Sequence, residues 1–145
     1  MDFSIDVTSP IERVFDLLAD LPNYPQWLPP SGLYATTAVS ETPIRLGTTY
    51  IDRSKQGPLH GRVTAYQPPH VLGFHQEARL ALGRLTIDIH YQLEEVEGTT
   101  RVHRTTAPQM TGLLALLSPL VIRSIRHENL RTLTRMKQYL ETPPM

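Results

Sequence analysis

The chain has 145 residues, 40% of them apolar, and 14 Lys and Arg balance 14 Asp and Glu, so it has the size of one domain and is too apolar for the disordered class. Zero formal charge gives no positive field to favour nucleic acid, and the absence of cysteine excludes disulfides, thiolate metal sites and a cysteine nucleophile. No run approaches the roughly 18 consecutive apolar residues of a membrane span, and no basic segment followed by a long apolar stretch opens the chain, so one soluble, cytoplasmic domain over 1–145 is expected.

In Asp2 to Val7 the apolar Phe3, Ile5 and Val7 alternate with polar residues, the period of a half-buried strand. Ser9 then reads as an N-cap, with Pro10 at the first helical position and Glu12 three residues after the cap. A helix to about Ala19 follows, with Ile11, Val14, Phe15 and Leu18 on its apolar side. Leu21 to Pro30 carries too many prolines for a long helix and too many large apolar groups for a linker, which predicts a short packed helical turn. Strand-like segments come next at 33–41, 48–55, 58–67, 70–77, 84–95 and 100–107. Turn signals at Leu46-Gly47, Gln56-Gly57, Pro68-Pro69, Leu82-Gly83 and Glu97-Gly98 imply antiparallel hairpins. An apolar stretch over Leu113 to Val121 precedes a helix that ends near Glu141. The two apolar directions differ, so Ser118-Pro119 is the expected break, with Ser118 as cap. Arg123, Arg126, His127, Arg131, Arg135 and Lys137 form the basic back of that helix and read as a solvated face, with an anionic partner site as the alternative.

This order, together with Ser9-Pro10-Ile11-Glu12-Arg13-Val14-Phe15, Ala19-Asp20-Leu21, Tyr24-Pro25-Gln26-Trp27, Gly47, Gly98-Thr99-Thr100-Arg101-Val102 and the run Leu133 to Leu140, resembles the START-like (SRPBCC) superfamily, in its polyketide cyclase/dehydrase branch. The resemblance spans the chain. It implies an α+β helix-grip fold: a curved seven-stranded antiparallel sheet around a long C-terminal helix, with two short helices after the first strand. It also implies a cavity gripped by that helix, with Trp27 beside the cavity end. Members mostly bind lipids, sterols, hormones or polyketides, and only some are catalysts, so fold alone does not settle function.

Strand alternation sorts the faces independently. Leu85, Ile87, Ile89, Tyr91 and Leu93 point one way, to the inner face, and a two-residue turn at Glu97-Gly98 pairs Leu93 with Val102, Tyr91 with Arg104 and Ile89 with Thr106. Arg104 is therefore inside. The same pairing about Gln56-Gly57 sets Tyr50 opposite Val63 and Asp52 opposite Gly61, with Leu72, Phe74 and Gln76 sharing the face. An inward Arg and Asp need partners: each other, the backbone, or a ligand whose carboxylate or carbonyl meets Arg104 beside the Tyr50 and Tyr91 hydroxyls. On the terminal helix Asn129 and Thr132 fall in the apolar arc. With Trp27 added from the resemblance, the ligand-facing set is Trp27, Tyr50, Asp52, Val63, Phe74, Gln76, Ile87, Ile89, Tyr91, Arg104, Leu117, Val121, Ile125 and Asn129, where Trp27 also reads as a plain core anchor and Asn129 as a satisfied core amide. His60, His75, His90 and His103 all alternate outward and no ligand spacing appears, so no metal and no cofactor are expected.

Three functions compete. The first is binding or carriage of a small hydrophobic or amphipathic molecule, lipid-, sterol- or polyketide-like. The second is a cyclase/dehydratase acting on a poly-carbonyl substrate, with Asp52 and Tyr50 as the candidate proton-transfer groups. The third is a protein-interaction module. Expected partners are a small hydrophobic ligand, with no nucleic acid, metal or membrane span, and a homodimer is left open.

Overall fold

The computed structural model describes residues 1–142, so the last three residues of the expected 1–145 domain lie outside the described residues. Strand β1 (Asp2–Val7) leads into helix α1 (Ile11–Ala19) and a 3-10 helix (Leu21–Gln26). Six strands follow: β2 (Thr36–Val39), β3 (Thr49–Ser54), β4 (Gly57–Gln67), β5 (Val71–Leu80), β6 (Gly83–Val96) and β7 (Thr99–Met110). A second 3-10 helix (Gly112–Leu117) then runs into helix α2 (Ser118–Glu141). The strands form one seven-stranded antiparallel sheet in the order β1-β7-β6-β5-β4-β3-β2, which curves around the long C-terminal helix as expected of a helix-grip fold.

The core follows from the two periodicities. Ile11, Val14, Phe15 and Leu18 bury one stripe of α1, and Leu133, Met136 and Leu140 bury the C-terminal half of α2. Both pack with Val7, Leu72, Tyr91, Leu93 and Val102, whose inward parity puts them on the concave face. Each such side chain contributes about 1.5–3 kcal/mol on leaving water.

Several local expectations are corrected. Ser9 does not cap α1: Pro10 is the N-cap, its carbonyl accepting from Val14 N at 3.1 Å, and Ser9 Oγ is buried without a partner. The proline ring holds φ at −59°, and with ψ at 146° Pro10 is extended, so the helix starts one residue later. Ser118 is likewise the first residue of α2 rather than its cap, which is Leu117, although the break falls where expected. The segment expected at 33–41 shrinks to Thr36–Val39, because Ser31 Oγ accepts from the amides of Leu33 and Tyr34 and closes that stretch into a turn. The β3–β4 turn is Lys55-Gln56, with Gly57 at φ +113° opening β4. Tyr50 therefore faces Gly61 and Asp52 faces Leu59, not Val63 and Gly61. A shift of two keeps every side chain on its expected face.

Candidate functional site

A cavity of about 160 Å³ lies between the concave face of the sheet and α2. Its apolar wall includes Phe74, Ile87, Ile89, Ile125 and the leucines 33, 59 and 85, and two polar clusters are set into it.

The first cluster joins β2, β3 and β5. Thr37, directly opposite Asp52 in the sheet, donates its hydroxyl to Asp52 Oδ1 at 2.5 Å. Gln76 Nε2 donates to Tyr50 OH at 2.7 Å and lies 3.5 Å from Asp52 Oδ2, while Tyr34 OH is 3.2 Å from Thr37 Oγ1. Removal from water disfavours the carboxylate, and the Thr37 hydrogen bond only partly opposes it, so the Asp52 pKa is pushed up to about 6. Burial pushes Tyr34 up to about 12 and raises Tyr50 and Tyr24 as well. These tyrosines are hydroxyl donors near neutral pH, and Asp52 is the lining group that burial brings close to neutrality.

The second cluster joins β6, β7 and α2. Tyr91 and Arg104 face each other across the β6–β7 ladder, as the sequence implied. Arg104 Nε donates to Asn129 Oδ1 at 2.6 Å, Nη1 donates to Tyr91 OH, and the guanidinium carbon stands 5.0 Å from the Tyr91 ring centre. Asn129 is held in turn, its amide nitrogen donating to Ile125 O at 2.9 Å and to Thr106 Oγ1 at 3.3 Å. No ion pair among the described residues includes Arg104. Three of its five N–H donors have no protein acceptor there.

Of the expected ligand-facing residues, Tyr50, Asp52, Phe74, Gln76, Ile87, Ile89, Tyr91, Arg104, Ile125 and Asn129 line the cavity. Trp27, Val63, Leu117 and Val121 do not. Trp27 is buried behind the wall with its ring 4.8 Å from that of Tyr24, and Nε1 has no partner. Val63, opposite Phe74 in the sheet, packs into the core, and Leu117 is exposed at the start of α2 while Val121 is half-buried. Sequence reasoning missed Tyr24, Tyr34, Thr37 and Glu128. For Thr37 a signal existed: it shares the alternation of Val39, the inward set of β2. The outward histidines make surface pairs, His75 with Asp88 and Glu77, and His103 with Glu94, and no described cluster of His, Asp and Glu could hold a metal.

The family model described as polyketide cyclase / dehydrase and lipid transport matches residues 1–141. The chain belongs to this family. Solved structures share its fold. A conserved protein from Geobacillus kaustophilus is 12% identical with TM-score 0.76, the match covering 96% of this chain and 93% of that one. The di-domain ARO/CYC StfQ of the steffimycin biosynthetic pathway is 13% identical with TM-score 0.72, over 97% of this chain and 50% of that one. Ara h 8.0201 is 12% identical with TM-score 0.73, over 97% and 95%. At such identities the likeness is one of fold alone, and no curated protein matches the chain in sequence.

Proposed function

We propose that the chain binds a small amphipathic molecule in the cavity, its apolar body against Phe74, Ile87, Ile89 and Ile125 and a carboxylate or carbonyl oxygen against Arg104. The observation that carries this reading is a guanidinium inside an apolar cavity, oriented by Asn129 and Tyr91, with donors to spare and no ion pair among the described residues. A partly buried cation favours something anionic or strongly polar beside it, and a ligand oxygen supplies that. The volume of about 160 Å³ is close to that of a cavity that accepts one benzene-sized body, roughly 150 Å³. A sterol or a multi-ring polyketide is larger than this volume, so a smaller ligand is favoured. Native mass spectrometry of the purified protein for a co-purified molecule, followed by calorimetry with Arg104→Met, tests the proposal. Aromatic or aliphatic carboxylates that bind the wild type and lose affinity in the variant support it, and equal affinity for both overturns the role of Arg104.

Asp52 favours a second reading, a cyclase/dehydratase on a small poly-carbonyl substrate. A carboxyl group with pKa about 6 beside the Tyr50 hydroxyl can both give and take a proton near neutrality. Asp52→Asn and Tyr50→Phe, assayed for turnover with binding measured in parallel, decide it: loss of rate with binding preserved supports catalysis, and unchanged turnover in both removes it.

A further inference from the structure

We propose that the end of the molecule formed by the β5–β6 hairpin tip, the second 3-10 helix and the start of α2 docks onto an anionic lipid surface. Five leucines, Leu82, Leu113, Leu116, Leu117 and Leu120, are exposed there by between 39% and 78%. They form one patch because the backbone ties the segments together: Leu114 N donates to Leu82 O at 2.8 Å and Thr111 N to Arg84 O at 3.0 Å. The approach is tight. A Cβ at Gly83 would stand 1.9 Å from Thr111 O, and one at Gly112 would stand 3.0 Å from Leu82 O. Water-facing apolar clusters of this kind mark an interaction site.

Charge selects the occupant. From Gly98 to His127 the chain has no acidic residue, and Arg123 and Arg126 are exposed on α2 just beyond the leucines. Arg79 and Arg84 face each other on the two strands of the hairpin that carries Leu82, and both are exposed. Among the described residues none of these four arginines makes an ion pair, whereas Arg131 and Lys137, further along α2, pair with Glu128 and Glu141. A second copy on a two-fold axis would set this basic tip against itself, opposing like charges. A bilayer with anionic headgroups accepts both features at once, projecting leucines at the acyl boundary and arginines at the headgroups. The patch adjoins the cavity through Leu85 and Ile125, which line it from the same hairpin and the same helix, so a docked molecule would hold that side of its cavity next to lipid.

The test is co-sedimentation of the full chain with phosphatidylcholine vesicles, plain or doped with phosphatidylglycerol, at low and high salt. Binding to the doped vesicles, weakened by salt and by omission of phosphatidylglycerol, is expected. Leu116→Ser with Leu120→Ser should lower the affinity by about tenfold or more, and Arg84→Gln with Arg123→Gln by roughly fivefold per arginine. Leu130→Ser, an exposed leucine away from the patch, should change nothing. All these side chains are exposed, and matching melting curves verify the fold; the arginine pair decides the matter should the serine pair melt early. Failure to bind doped vesicles overturns the proposal, as does binding indifferent to both double variants, or a wild-type dimer that Leu116→Ser with Leu120→Ser dissolves. Vesicle binding needs no cavity ligand, so this result and the Arg104-dependent affinity stand or fall separately.

Discussion

Asp52 and Arg104 face the same cavity and do not touch. They sit on β3 and β7, four strand positions apart in the sheet, a separation of roughly 19 Å along its surface at 4.7–4.9 Å per strand. Each is held locally, Asp52 by Thr37 and Arg104 by Asn129 and Tyr91, with three Arg104 N–H groups left over. The cavity therefore has a carboxyl group and a guanidinium on strands well apart in the sheet.

Arg104→Met tests the guanidinium. It keeps much of the side-chain volume and removes the donors, so affinity for a carboxylate ligand should fall by about 1.5–3 kcal/mol in calorimetry. Stability should fall by about 1–3 kcal/mol, since Asn129 Oδ1 loses its donor in a buried setting. Because Asp52 is not the partner, Asp52→Asn should neither rescue nor worsen that loss. A double-mutant cycle by chemical denaturation should close within about 0.5 kcal/mol, and a larger coupling would show that the two charges meet.

Asp52 also sets a pH dependence. Its pKa rises from 3.8 to about 6 on folding, so between these values the folded chain binds more protons than the unfolded one. Its favourable contribution is complete below about pH 3.8 and is lost as the pH rises through 6. The loss amounts to about 1–3 kcal/mol for a carboxylate that keeps some contact with water. Asp52→Asn should flatten this part of the stability curve and be the more stable protein at pH 8. Melting temperatures of both proteins from pH 4 to 8 check this, and parallel curves would contradict the assigned shift.

What the sequence showed of this site depended on the local signal available. The β6–β7 pairing was legible because Glu97 and Gly98 adopt φ +50° and +84°, the paired positive angles of a two-residue hairpin turn that Gly signals. That one turn fixed Arg104 opposite Tyr91. In β3–β4 the same reasoning placed the glycine in the turn, whereas Gly57 opens the strand. The pairs were off by two and the faces right, since parity survives an even slip. Parity also set Asp52 and Arg104 on one face but carried no information on their separation, which depends on sheet order. Trp27 lies in a proline-rich 3-10 region with no period to read, and so its position behind the wall could not be inferred.

That position gives Trp27 a defined spectroscopic behaviour. Trp27 is 5% exposed, and its ring packs against that of Tyr24, a residue of the cavity wall. Its emission should be that of a tryptophan shielded from water and from acrylamide, and a saturating cavity ligand should change it only slightly. A large shift on ligand addition would mean that the Tyr24 wall moves.

Tyr50 packs directly against Gly61 of the neighbouring strand. A Cβ at residue 61 would stand 2.2 Å from Tyr50 Cζ and 2.6 Å from its hydroxyl oxygen, so the ring lies across the bare glycine backbone of the neighbouring strand. That placement brings Tyr50 OH within reach of Gln76, whose Nε2 donates to it at 2.7 Å, and sets the ring edge-on to Phe74 at 5.7 Å between centres. Gly61→Ala leaves no room for this arrangement and should cost about 1–3 kcal/mol as an overpacked core site. The displaced ring would also take away Gln76's 2.7 Å acceptor and alter the first polar cluster. Tyr50→Leu alone should destabilise by removing the ring, but Gly61→Ala added to Tyr50→Leu should cost almost nothing, since the atoms that clash are gone. Denaturant midpoints of the two single variants and the double variant give the coupling directly, and a Gly61→Ala penalty that persists in the Tyr50→Leu background would place its cause in the backbone instead of the ring.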